Sequence, residues 1–286
     1  MEKLYYLLIL SIVLPWGVFM LIYQPGVELL KKAGMTRKNY QGQRIPTAGG
    51  LLLFLSLMIT WVIVTIFMVY FELFVGSLRL MMMFLAGSIA IVCLGWQDDG
   101  AYDTTSKGFQ GHLRILIREK RMTSGMLKAF GGLGTAVIVC IPISYSVVEG
   151  IINILLLGLC TNLINLFDLR PARAIKVFWL IAMPIFFFSP FGDWYVAWIW
   201  FLPLLSATLW FFFRDARGEI MLGDTGSNFL GYMIGFEMIL TLSLPAKITV
   251  LFLLIILHLL AERISLSQVI QSKSWLRWVD QFGRNV

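Results

Sequence analysis

A chain of 286 residues that is 59% hydrophobic and 14% charged, with mean hydropathy +0.83, is too apolar for a soluble domain and reads as an integral membrane protein. Its net charge of +7 is spread over short segments between apolar runs with no basic recognition helix, which excludes a nucleic-acid partner and suits anionic headgroups and phosphorylated substrates. Cys93, Cys140 and Cys160 all lie inside apolar runs without pair spacing or a neighbouring histidine, so they read as small buried apolar residues and not as a zinc or disulfide framework.

The predicted fold class is all-α: a polytopic transmembrane helical bundle forming a single integral membrane domain over 1–286. Nine candidate spans follow in order, at about 4–23, 50–70, 79–96, 129–147, 150–167, 175–191, 194–213, 228–244 and 247–264. The first is long, lacks a small-residue cleavage site and runs into a basic loop, so it reads as a retained span. With the N-terminus outside, the cytosolic segments are 24–49, 97–128, 168–176, 214–227 and the tail 263–286. They hold 20 of the 23 lysines and arginines, leaving Lys3, Arg79 and Lys247 outside. The positive-inside rule therefore places the C-terminus in the cytosol and the protein in the plasma (inner) membrane.

The first cytosolic segment ends Arg44-Ile45-Pro46-Thr47-Ala48-Gly49-Gly50. A cation and a rigid turn followed by glycines at a helix start would present backbone N–H groups to a phosphate. A plain Pro/Gly turn with a headgroup-binding arginine is the alternative. The third span runs into Gln97-Asp98-Asp99-Gly100. Two adjacent carboxylates at the depth of lipid phosphates are costly unless a cation joins them, and Mg²⁺ suits an all-oxygen site shared with waters and phosphate. Beyond it, Leu113, Leu116 and Ile117 share one helical face while Arg114, Arg118 and Arg121 share another, a pattern for a short surface helix.

At the end of the fifth span, Asn162, Asn165 and Asp168 recur at intervals of three and form a polar stripe turned from lipid, with Arg170 and Arg173 just beyond. After the seventh span comes Gly223-Asp224-Thr225-Gly226-Ser227-Asn228, where small residues and an acid at a helix start can hold a cation and a phosphate, or can simply cap the helix. His258 falls inside the last span and reads as a packed, hydrogen-bonded helix residue, leaving Glu262 and Arg263 as the better polar candidates near the membrane exit. The segment Ser274-Trp275-Leu276-Arg277-Trp278-Val279 reads as an interfacial amphipathic anchor.

Taken together, RIPTAGG (44–50), Asp98-Asp99, NLINLFD (162–168) and GDTGS (223–227) resemble the polyprenyl-phosphate N-acetylhexosamine-1-phosphate transferases, in the family's order and on one predicted membrane face. The resemblance implies transfer of a sugar 1-phosphate from a UDP-sugar to a polyprenyl phosphate, with release of UMP, a need for Mg²⁺ (Mn²⁺ as a possible substitute) and a role in cell-envelope glycan synthesis. It implies catalytic roles for Asp98, Asp99 and Asp168, a metal held by Asp224 with Asp98 and Asp99, and a nucleotide faced by Asn165 and Asp168. The remaining substrate-binding candidates are Arg44, Thr47, Lys128, Asn162, Arg170, Arg173, Gly223 and Ser227, the cations offsetting the charge of phosphoryl transfer. A homodimer is a possible assembly.

The chain departs from the family pattern where Asp168-Leu169-Arg170-Pro171-Ala172 stands in place of Asp-Gly-Leu-Asp-Gly, and where a histidine-rich donor loop is missing. These departures support a second reading, a catalytically silent relative that binds polyprenyl phosphate or a nucleotide-sugar. A transporter is the third, with Glu237 as its main support. Against it, the acids gather at one face, not at the midplane, and no internal repeat is visible.

Overall fold

The computed structural model describes residues 2–39, 41–73, 78–101, 124–187 and 194–284, and over these the chain is a helical bundle. Its helices are α1 (Glu2–Lys32), α2 (Gly50–Tyr70), α3 (Leu78–Gly100), α4 (Ser124–Cys140), α5 (Val147–Leu163), α6 (Arg173–Phe187), α7 (Trp194–Ala216), α8 (Gly223–Thr241) and α9 (Leu244–Arg263), followed by the short α10 (Leu266–Ser272) and α11 (Ser274–Gln281). The predicted surface helix with Arg114, Arg118 and Arg121 lies outside the described residues.

Among the described residues seven helices, α1 to α5, α7 and α9, are long and apolar enough to cross a membrane. Two of the nine predicted spans do not meet that measure, for different reasons. The described part of α6 has 15 residues, short of the roughly 20 that cross the hydrocarbon. Helix α8 is 19 residues long but opens on Gly223-Asp224-Thr225-Gly226-Ser227-Asn228, and nearly every residue along it is buried by protein. It packs against α2, α3, α5 and α6, so neighbouring helices and not lipid set what its surface must be. Its Gly231 and Gly235 stand over α5, where a Cβ at Gly231 would meet the carbonyl of Cys160 and one at Gly235 would lie 2.8 Å from the Cys160 Cβ. This small-xxx-small spacing lets the two helix backbones approach closely. At the other extreme α9 rests on α5 with only 17% of its apolar window buried, as a lipid-facing helix requires.

The all-α reading needs one amendment. Thr36–Lys38 (β1) and Arg44–Pro46 (β2) form an antiparallel hairpin, with Arg37 opposite Ile45. Asn39 shapes its turn, its side-chain oxygen accepting from the N–H groups of Gln41 and Gln43, and Gly42 takes φ +81°. The hairpin was hidden because its strands are three residues long and charged, below the length at which alternation can be read.

Helix boundaries also shift in ways that matter for chemistry. Helix α1 runs on to Lys32, well into the predicted loop 24–49, although Pro15 and Pro25 lie inside it. Its contacts with α7 are partly polar: Trp16 Nε1 donates to the Ser206 carbonyl at 2.9 Å, and Ser206 Oγ donates to the Ile12 carbonyl at 2.6 Å. The described part of α4 starts at Ser124, inside the predicted loop 97–128, so Lys128 stands on a helix. Cys140 and Cys160 are buried as expected, whereas Cys93 is exposed on α3.

Candidate active site

One end of the bundle gathers the C-terminal ends of α3, α5 and α7 and the N-terminal ends of α2, α4, α6 and α8, and four of the sequence motifs meet there. Segment 46–50 runs beside 221–222: the Met221 N–H donates to the Pro46 carbonyl, and the N–H groups of Gly49 and Gly50 donate to the carbonyls of Met221 and Leu222, all within 2.9 Å. The helix start at Gly49–Gly50, expected to offer N–H groups to a phosphate, therefore spends both on protein. Gly50 also touches Gly226, each leaving no room for a Cβ on the other, so α2 and α8 cross backbone to backbone.

Asp99 is 6% exposed and is held by α8. Its Oδ2 accepts from the Thr225 N–H at 2.9 Å and Thr225 Oγ1 at 2.6 Å, while Oδ1 accepts from the Asp224 N–H at 3.1 Å and Thr47 Oγ1 at 3.4 Å. A carboxylate supplied by α3 thus caps the start of a different helix, where orphan N–H groups and the helix dipole both favour negative charge. Gly223 makes room for it: the residue has φ +71°, and a Cβ there would come within 2.6 Å of Asp99 Oδ2. Each Asp99 oxygen thus takes a backbone donor, and the side chain faces the start of α8.

Asp98 points elsewhere. Its Oδ2 lies 3.4 Å from Lys128 Nζ, and Lys128 also pairs with Asp224. Asn165 closes the group; with its amide oriented to satisfy both neighbours, it donates to Asp224 Oδ1 at 3.2 Å and accepts from Lys128 Nζ at 3.0 Å. Ser227 Oγ sits 3.4 Å from the same amide. The acids and the lysine are partly exposed, so this cluster opens to the surface while Asp99 does not. Arg37, a residue the sequence did not single out, braces the end of α3 by donating to the carbonyls of Asp98 and Asp99 at 3.1 Å each.

Asp168, at the end of the 3₁₀ turn Asn165–Phe167, accepts a backbone hydrogen bond from Gly223. Burial first, then the nearby carboxylates of Asp215, Asp224 and Asp99, push its carboxyl well above the ordinary range. Asp215, which sequence reading passed over as one acid between two arginines, is buried and accepts from the Ala172 N–H at 2.8 Å, fixing a loop in which Ala172 takes φ +60°.

The other predicted residues divide. Thr47 is buried on Asp99 and Met35, whose carbonyl accepts from the Thr47 N–H. Asn162 is half-buried on the last turn of α5, and Arg44 is exposed on β2. Arg170 is exposed on the loop after Asp168. Arg173, expected to grip a substrate phosphate, is instead buried against the tail: its Nε and Nη2 donate to the two oxygens of Asp280 at 2.7 and 2.9 Å, and its Nη1 donates to Ser267 Oγ. Its bidentate partner is thus a carboxylate of the chain itself. His258 sits inside α9 with Nδ1 2.8 Å from the Leu254 carbonyl, a helix residue bonded within its own turn.

Among the described residues no group of three or more histidine, cysteine or carboxylate side chains is arranged as a metal cage. Asp98 and Asp224 nonetheless turn onto one ammonium group, so their oxygens enclose a position that already holds positive charge. That donor set fits a divalent cation completing its shell with water and phosphate, while Asp99 faces the start of α8. Compared with protein-family models and with curated proteins, the chain matches none.

Proposed function

We propose that the protein is a membrane-embedded glycosyl-1-phosphate transferase, passing a sugar 1-phosphate from a UDP-sugar to a polyprenyl phosphate and releasing UMP. The observation that carries this reading is the meeting of Asp98, Lys128, Asn165 and Asp224, drawn from four separate stretches of sequence, in one polar cluster at the end of an apolar bundle. A polar group of both signs at that position is expensive unless it serves a ligand. Phosphates presented from the membrane and from water can both reach an end of the bundle, which a midplane site would not allow.

In this reading the bundle has nine spans, with the N-terminus outside and the cluster facing the cytosol, where UDP-sugars are found. The lipid phosphate oxygen attacks the β-phosphorus of the donor, a new P–O bond forms, and the bond to the UMP oxygen breaks. Lys128 offsets charge on the transferring phosphoryl group, and Asn165 fixes both Lys128 and Asp224. Asp98 and Asp224 would hold Mg²⁺, which when bound neutralises the pyrophosphate. The lipid phosphate is already largely ionised near neutral pH, so Asp98 orients it rather than removing its proton. Asp99 and Thr47 keep the start of α8 in place.

The second reading, a silent relative that binds the lipid or the nucleotide-sugar, draws on the same loop that departs from the family pattern: Arg173 is taken by Asp280, away from any ligand. Purified protein with Mg²⁺ and undecaprenyl phosphate, tested against a panel of UDP-sugars, separates the two. UMP release that disappears in Asp98→Asn and Asp224→Asn supports the transferase; lipid binding without UMP from any donor supports the silent relative.

A further inference from the structure

Helix α11 is amphipathic in the reverse sense of a soluble helix. Trp275, Trp278, Val279 and Phe282 fall at i, i+3, i+4 and i+7, and they point away from the protein, the two tryptophans 68% and 69% exposed. The opposite side carries Asp280, 4% exposed and clamped by Arg173, by Arg284 (2.6 and 3.1 Å) and by Gln271 (3.4 Å). Lys176 caps the end of the helix, its Nζ donating to the carbonyls of Val279, Asp280 and Phe282. The helix therefore buries its carboxylate in protein and shows an aromatic stripe outward.

We infer that this stripe lies in the interfacial layer of an anionic bilayer, and that the Asp280 clamp ties that membrane contact to the loop 169–173 beside the Asp168 and Asp215 carboxyls. The lipid-facing helix α9 ends at Arg263, just before α10, so the tail starts at headgroup level. Tryptophan is the side chain best suited to that depth, and the exposed Lys273 and Arg277, off the stripe on the water side of the same short helix and its cap, add positive charge near anionic headgroups. The connection inward is continuous: Arg284 Nε donates to the Pro171 carbonyl at 2.7 Å, Arg173 opens α6, and the next N–H back, that of Ala172, is held by Asp215. None of this depends on the transferase reading.

The full chain, with Cys93→Ser and single cysteines replacing Trp275, Arg277, Trp278, Gln281 or Phe282, is spin-labelled and reconstituted into phosphatidylcholine–phosphatidylglycerol vesicles. Collision with oxygen should exceed collision with a water-soluble nickel chelate at 275, 278 and 282, and the order should reverse at 277 and 281. Equal aqueous access at all five positions would overturn the membrane contact. So would spin–spin broadening along the stripe, which would give the surface to a second copy. For the clamp, a label at the exposed position 169 reports the loop: Asp280→Asn should raise its mobility at least twofold, and Arg284→Gln should do so in part. A label as immobile in both variants as in the parent would overturn the coupling.

Discussion

Replacing Asp99 with asparagine should destabilise the protein far more than the same change at Asp98, although the two residues are adjacent and chemically identical. In Asp99 the Asp224 N–H reaches one oxygen and the Thr225 N–H the other. Asparagine offers a single oxygen, so whichever way its amide turns, one backbone N–H faces an NH₂ group. The hydroxyls of Thr47 and Thr225 can rotate to accept; the backbone donor cannot. An orphaned buried donor costs about 1–3 kcal/mol, and loss of a charge at a helix start adds roughly 0.3–1 kcal/mol, giving about 1–4 kcal/mol in all. Asp98 is partly exposed and meets Lys128 at 3.4 Å, a contact worth about 1 kcal/mol or less. Unfolding in mixed detergent micelles, followed by circular dichroism, measures both changes, with UMP release read on the same samples. Asp99→Asn should lose stability first, and Asp98→Asn should lose turnover while melting like the parent. An Asp99→Asn protein as stable as the parent but inactive would refute the helix-capping assignment and return Asp99 to the chemistry.

Three further outcomes follow from the same contacts. Removing the ammonium that Asp98 and Asp224 share, in Lys128→Met, should tighten Mn²⁺ binding about tenfold, near 1.4 kcal/mol, because the metal no longer competes with a tethered cation; weaker binding measured by Mn²⁺ paramagnetic resonance would remove the acid pair as its site. At the far end of the bundle Lys247, 3% exposed, pairs with Glu149 at 2.7 Å, so Glu149→Gln strands a buried ammonium at about 3–5 kcal/mol whereas Lys247→Met removes the charge and costs much less; equal melting shifts would contradict this. Burial alone would raise the Asp280 carboxyl, but hydrogen bonds from Arg173 and Arg284 hold it below the usual range. A depressed folded value means its stabilisation is complete above the unfolded value of about 3.9 and is lost as pH falls through the folded one, so a label on Gln281 should stay immobile through pH 4 and loosen only below it. Loosening already near pH 6 would rule Asp280 out as the titrating clamp.

Composition and hydropathy by themselves determined that the chain is helical, with runs long and apolar enough to cross a membrane, because a helix satisfies its own backbone where no water reaches. The polar motifs were legible for the same reason: Asp98, Asn165, Asp168 and Asp224 stand out against apolar runs in which each is costly. What the sequence could not decide was how those groups divide the work. Asp98 and Asp99 differ by one residue, and on a helix that is about 100° of rotation, enough to turn one toward Lys128 and the other into the start of α8. Lys128 became part of the cluster because the helix that carries it packs against α3 and α5, a placement that periodicity along the chain does not give. Helix α8 was legible as a hydrophobic run but not as the buried centre, since burial depends on which helices surround it. Arg173 shows the limit most plainly: an arginine beside a polar motif is indistinguishable in sequence from a phosphate clamp. More than a hundred residues separate it from Asp280, and only the folded chain brings that carboxylate within 2.7 Å.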